Sequence, residues 1–333
     1  MSVYAPQLET GSPPTSKRGR RSSPWTWRWR DRLVLASAWT AGLGLCAIAA
    51  AIVLYMGYRG IEYLRPGLLF TRPAIGQSQS QTGGILDPLL GTALLTLIGI
   101  ALAFPLAVTC AVWIAEYGRP RWLARVVESS IEIVAGTPDI VLALFGLSIF
   151  QLGLFAPLSF RAEGGGVYGR SFIAAGAMMS LIALPPLFAA TRDGLQAVPE
   201  HMREAAFALG KTRIATIRRV LLPSVRSNIA TGVTLGVSRI IGDTAIVLLL
   251  LGETLHIETQ GPVPVVSLLR GTGSTLTSYV YDNSPAGEGA APQKAYAAAF
   301  VLLVFVLGLN LLVDRIGRSR DRATGLSGVG GVV

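Results

Sequence analysis

The sequence predicts an all-α protein that crosses a membrane six times. Three observations carry that expectation. The 333 residues are 51% hydrophobic and only 14% charged, the balance of a polytopic membrane protein rather than a water-soluble domain. Six apolar runs, at about 33–57, 87–115, 131–155, 171–191, 227–251 and 295–314, each approach the roughly 20 residues that a helix needs to cross the hydrocarbon core. The basic residues then alternate in density between the runs. Residues 1–32 hold seven Lys or Arg, 116–130 three, 192–226 seven and 315–333 four, against seven in all the other connections together. By the positive-inside rule this alternation places both termini and the 192–226 connection in the cytoplasm.

Taken in order, the chain opens with a basic arm, residues 1–32, rich in Pro, Ser and Arg and expected to be partly disordered. Lys17, Arg18, Arg20 and Arg21 precede Trp25, Trp27 and Trp29, which alternate with Arg28 and Arg30. Aromatic and basic residues mixed in this way suit a membrane interface ahead of the first span. The net charge of +10 is therefore read as topology, and no nucleic-acid partner is expected. The first run, 33–57, is too long for a signal-peptide core and lacks a small-residue cleavage site. An external loop, 58–86, leads to a core, 87–315, that holds the other five spans; residues 316–333 form a cytoplasmic tail. Within the core, an external loop at 252–294 carries Pro262, Pro264, Pro285 and Pro292, and the shorter one at 156–170 carries Gly164, Gly165 and Gly166. Such loops serve either as a platform for a soluble partner or as linkers. Cys46 and Cys110 both lie inside apolar runs, where a disulfide is not expected. Pro105, Gly136-Thr137-Pro138, Pro185-Pro186 and Gly242 interrupt the spans, and broken helices belong where protein or a cavity covers the freed backbone.

The fifth span carries Arg239 and Asp243. Four residues apart, they fall on one face of a continuous helix. Two central charges cost about 5–7 kcal/mol on insertion scales, while the twelve Ile, Leu and Val of the run return about 4–7 kcal/mol. The span is marginal alone, so its charged face must look into protein or a wet path. It serves as a structural ion pair, as a wall of a substrate path, or as both. Asp139, after Gly136-Thr137-Pro138, lies either several residues inside the membrane or at its interface as a helix cap.

The most basic internal stretch, 199–223, reads as two short amphipathic helices. Met202, Ala205, Ala206 and Leu209 follow helical spacing, Gly210 stops the first helix, and Thr212 caps the second. Ile214, Ile217 and Leu221 form a second stripe opposite Arg213, Arg218 and Arg219, and Pro223 ends the unit. A helical loop lying on the lipid surface explains this much. The spacing says more. Glu204-Ala205-Ala206, three residues, Gly210, nine residues, then Val220-Leu221-Leu222-Pro223 resembles the EAA signature of ABC importer permeases, with Val220 where Ile is usual. The resemblance implies that Glu204, Ala205, Ala206, Gly210, Leu222 and Pro223 belong to a coupling loop that docks on an ATPase subunit.

The match narrows at SRIIGDTAIVLLLLGET and AGTPDIVLALFGLSIF. Both are similar to segments of phosphate-specific permeases of the PstA type, and the resemblance spans roughly residues 83–315. It implies the type I ABC importer permease fold, and a non-catalytic subunit that forms half of a translocation pathway for inorganic phosphate. Implied partners are a second, PstC-type permease, two PstB-type ATP-binding subunits, an external PstS-type phosphate-binding protein and the bilayer itself. Arg239, Asp243, Thr244 and Asp139 are the implied pathway residues. Asp243 stands where Glu is usual and Asp139 where Ser is usual, and Ile240-Ile241 replaces an Ala-containing pair. Asp139 adds negative charge to an anion path, or accepts the proton-bearing oxygen that hydrogen phosphate has and sulfate lacks. Permeases for molybdate, sulfate or phosphonate are the nearest alternative; a membrane enzyme or a non-transporting scaffold is more distant. No phosphate-cradling GxxxxGK[ST] loop or HExxH zinc motif is present, the only histidines are His201 and His256, and no cofactor or metal is expected.

Overall fold

The computed structural model describes residues 29–73, 83–160, 167–252, 254–258, 263–285, 287 and 291–319. The basic arm before Trp29, the Gly164–Gly166 run and the tail from residue 320 lie outside the described residues. Among those described, every regular element is helical, and a single isolated bridge joins Glu258 to Thr272.

The chain divides into two units, residues 1–52 and 53–333. The first holds most of helix α1 (Trp29–Gly60), which is apolar all round and exposed along almost its whole length, the character of a rod solvated by lipid. The second unit starts with the end of α1. There Tyr55 packs edge-on against Tyr296, and Gly60 lies against Ala297. It continues through α2 (Pro66–Phe70), α3 (Leu86–Glu116), α4 (Arg121–Gly136), α5 (Asp139–Phe150) and α6 (Phe172–Ala197). A hairpin follows: α7 (Glu200–Ala208), α8 (Arg213–Thr216), a π-helical turn over Ile217–Leu221, and α9 (Leu222–Ser224). The chain ends with α10 (Arg226–Gly242), α11 (Ala245–Leu250), α12 (Pro264–Arg270), α13 (Leu276–Asn283) and α14 (Pro292–Ser319).

The core is built on α3 and α6, with α10 packed against both and α14 packed on α10. Ala103, Ala107 and Ala111, one turn apart on α3, are fully buried, so small side chains bring the backbones close, as membrane helices require. Met179, Ala183 and Leu187 of α6 and Ile240 of α10 fill the space beside them.

The structure redraws two of the expected spans. The run 131–155 is not one rod: α4 begins at Arg121, inside the expected cytoplasmic connection, and α4 and α5 bend by 107° across Thr137-Pro138. Pro138 has no N–H to give and cannot extend α4. The run 227–251 is split into α10, 17 residues, and α11, 6 residues, at Asp243-Thr244. Pro105 and Pro185-Pro186, expected as interruptions, sit inside unbroken α3 and α6. Among the described residues four helices are long and apolar enough to cross a membrane, or five if the bent pair is one span; six remains an expectation.

The 252–294 connection is more structured than its composition suggests. A reciprocal capping box at Thr275 and Ser278 starts α13. The Leu276 N–H donates to Thr92 Oγ1 at 2.8 Å, which fastens α13 to the start of α3. Leu276 and Tyr279 join Ile85, Leu68, Ala297 and Ala298 in a second small core. On the same side, the buried Asp87 carboxylate bonds His256 Nδ1 at 2.6 Å and meets Arg72 at 3.6 Å.

Gly91 is the tightest approach between this cap and α3, because a Cβ there would run into the Ser274 carbonyl oxygen. Gly91→Ala is expected to lower stability by about 1–3 kcal/mol. Gly308→Ala, on an α14 face with nothing within 4 Å, is expected to be neutral. Thermal unfolding of the two purified variants compares them directly.

Candidate functional site

The two helix breaks meet, since α5 packs on α11. Asp139 opens α5, and Arg239 lies in the last turn of α10. Arg239 Nη2 donates to both carboxylate oxygens of Asp139, at 3.1 and 3.4 Å. The expected placement of Arg239 and Asp243 on one helical face does not hold. The helix ends at Gly242, and Asp243 adopts extended backbone with φ −78° and ψ 139°. Its buried carboxylate accepts the Ile246 N–H at 2.8 Å, so it caps α11 in the manner of a helix N-cap. The Thr277 hydroxyl donates to the Asp243 carbonyl at 3.3 Å. Arg239 pairs with Asp139, and the buried Asp243 carboxylate lies at the same junction. Thr244, half-buried, begins α11. The four residues singled out from the sequence therefore cluster at the two breaks. The Arg239 side chain remains about half exposed (52%) and that of Asp139 30% exposed, so the cluster lies on a surface this chain does not close.

The second constellation is the basic hairpin. Gly210 has φ +72°, a left-handed conformation that ends α7, and Thr212 Oγ1 accepts the Ala215 N–H at 3.3 Å to start α8. Pro223 does not end the unit as expected. It lies within α9, just after the π-helical turn in which the Leu222 N–H reaches back to the Ile217 carbonyl. A wide turn at this point gives room to a ring that would otherwise press on the preceding turn. Glu204 and Ala205 face outward, Ala206 is buried, and Leu222 and Pro223 are half-buried. Beside Glu204, the apolar side chains of Phe207, Leu209 and Ile214 are exposed.

What fixes the hairpin was not singled out from the sequence. Arg203 Nε donates to Glu116 Oε1 at 3.0 Å, and its two terminal nitrogens donate to the Val198 and Leu195 carbonyls at 2.7 and 2.9 Å. One side chain thus ties α7 to the ends of both α3 and α6. Arg213 adds a bond to the Glu116 carbonyl at 3.2 Å and lies 5.2 Å from the Tyr117 ring centre. The available signal was Glu116 itself, a carboxylate at the end of an apolar run that faces a basic connection.

A family model described as "binding-protein-dependent transport system inner membrane component" matches residues 103–324. The chain belongs to this family. A member of this family is a non-catalytic permease subunit of an ABC importer, a multi-pass protein of the inner membrane. Among similar proteins, a phosphate transport system permease protein PstA 1 of Mycobacterium tuberculosis is 31% identical over 234 residues, 70% of each chain. A phosphate transport system permease protein PstC of Xylella fastidiosa is 26% identical over 288 residues, 82% of this chain and 84% of its own. The probable ABC transporter permease protein YqgH of Bacillus subtilis is 27% identical over 302 residues, 87% of this chain and 91% of its own. The fold matches a bacterial alginate ABC transporter at a TM-score of 0.60 and 15% identity, over 87% of this chain and 95% of the other. It matches the inward-facing MetNI methionine ABC transporter at 0.51 and 18%, over 71% and 94%.

Glu116 is nearly buried, with 7% of its side chain exposed. Arg203→Ala is therefore expected to cost about 1–3 kcal/mol, the cost of stranding a buried acceptor. It should also loosen α7, read as faster amide exchange over 200–208. In a double-mutant cycle with Glu116→Ala the two effects should be clearly non-additive.

Proposed function

We propose that this permease carries inorganic phosphate inward, driven by ATP hydrolysis on companion subunits. The observation that carries the proposal is the Arg239–Asp139 pair at the meeting of two helix breaks, beside the buried Asp243, on a face the chain leaves open, in a sequence whose relatives include phosphate permeases. A tetrahedral oxyanion needs a cation and polar backbone within an otherwise apolar wall. Arg239 supplies the charge, and Thr244 and the broken backbone supply polar groups. A second permease of the PstC type closes the open face, and a PstS-type protein delivers phosphate to the side that carries α12 and α13. Asp139 holds Arg239 until the anion takes its place, and Asp243 keeps the α11 end in position.

The hairpin is the coupling element in this reading. Exposed Glu204 and the apolar Phe207, Leu209 and Ile214 meet a PstB-type ATPase subunit, and Arg203 passes its movement to α3 and α6. The termini and hairpin are cytoplasmic on the strength of the charge count.

Uptake into vesicles reconstituted with the whole complex tests the substrate, with phosphate, sulfate and molybdate in competition. Phosphate should prevail. Arg239→Ala should reduce uptake at low phosphate by about 10- to 100-fold, the loss of a charge-assisted bond, with the complex still assembled. Full uptake in that variant would remove Arg239 from the path.

Gly210→Val puts a β-branched residue at φ +72°, where L-residues cost about 1–2 kcal/mol, without any steric contact from neighbours within 4 Å. Transport per ATP hydrolysed should fall while the pathway residues stay intact. An unchanged ratio speaks against the hairpin as the coupler.

A further inference from the structure

At the membrane end that carries the hairpin, α10 forms the floor of a lateral groove whose walls are α3 and α14. Its volume is about 490 Å³. Phe104, Val108, Val233, Val313 and Ile316 make the lining apolar, and Arg218 and Arg226 stand at one end of it. Among the described residues no acidic side chain lines it. Among the described residues neither arginine forms an ion pair, although Arg192, Arg203 and Arg239 all do. Arg226 is half-buried, so its charge is drawn partly out of water without a counter-charge among the described residues.

We propose that this groove is a binding site for one anionic phospholipid, with an acyl chain along the apolar floor and the headgroup phosphate on Arg218 and Arg226. Three observations select lipid over other occupants. The groove opens onto an apolar surface that continues outside it: Leu102 and Leu106 on α3 and Leu307, Leu311 and Leu312 on α14 are all exposed. In a membrane protein such a surface is solvated by acyl chains. Second, the polar end is purely cationic and lies at the end of the spans, where headgroup phosphates are, and basic pockets between membrane helices suit anionic headgroups. Third, the tail that follows Gly317 carries Arg318, Arg320 and Arg322 against a lone Asp321, so its charge does not complement the two arginines. The bound phosphate would neutralise Arg218 on the hairpin and Arg226 on α10 together. Lipid composition would then set how firmly the hairpin is seated on its span. The proposal does not depend on which anion the permease carries.

The test uses the full transporter complex in phosphatidylcholine vesicles with a small fraction of photoactivatable phosphatidylglycerol. Labelled peptides are located by mass spectrometry. Label is expected on α3 and α14 residues that line the groove. It should fall about fivefold in Arg218→Ala or Arg226→Ala and about thirtyfold in the double variant. Arg219→Ala, on the same turn but outside the groove, should leave it unchanged. Val233→Phe, which fills the floor and keeps both arginines, should also reduce the label, and it serves if the arginine variants fail to assemble. Photoactivatable phosphatidylcholine should label weakly and respond to none of the arginine substitutions. Equal labelling of wild type and double variant overturns the proposal. So does competition by millimolar inorganic phosphate, which would mark a free-anion site, or attachment of groove residues to another polypeptide instead of lipid.

Discussion

A guanidinium inside a bilayer must find its counter-charge, and in this chain Arg239 finds Asp139, one hundred residues earlier, at 3.1 Å. The rest of the central architecture follows from letting those two side chains meet. Pro138 ends one helical direction and lets Asp139 begin another. Gly242 ends α10 one turn beyond Arg239. Each interruption frees backbone groups that lipid cannot satisfy, and each is repaired locally. The Asp243 carboxylate takes the Ile246 N–H, the Thr277 hydroxyl takes the Asp243 carbonyl, and the Thr137 hydroxyl returns to the Ile133 carbonyl. Charge and backbone are thus solved together, and neither break would be tolerable without the other element packed against it.

The hairpin obeys a different economy. Its two short helices carry too few residues to be stable alone, and only Ala206, Thr216, Ile217 and Leu221 of it are buried. What holds it is hydrogen bonding to helix ends, where carbonyls are unpaired in any case. Arg203 takes two such carbonyls and one carboxylate. An element seated in this way is joined to α3 and α6 by these bonds, while Phe207, Leu209 and Ile214 stay exposed.

The legible parts of the sequence were those whose physics is local. Runs without breaks, at 87–115, 171–191 and 295–314, became α3, α6 and α14 nearly as expected, because apolar length alone specifies them. Gly210 and Thr212 were legible too, since a left-handed stop and a hydroxyl cap act within four residues. The broken spans were not, because average hydropathy over twenty residues is blind to one extended residue at Asp243 or one proline at 138. Proline in turn misled at Pro105 and Pro185-Pro186, which sit inside unbroken α3 and α6. The partner of Arg239 was misassigned for a related reason. Sequence offers a charge four residues away as the neighbour, and only the tertiary fold brings α5 to α10. The helices of 252–294 were hidden by composition: apart from Leu276 their buried residues are Ser267, Ser278, Tyr279 and Asn283, polar types that read as loop until their hydrogen bonds are seen.

The π-helical turn at Ile217–Leu221 holds one residue more than a regular turn would need to span the same rise. An α-helix advances about 100° per residue, so this surplus sets the azimuth at which everything downstream leaves the hairpin. Shortening the chain by one residue here would regularise the local helix and swing the α10 side chains about a quarter-turn or more around their axis. The guanidinium would then address a different wall of the bundle, although no residue within the span had been altered.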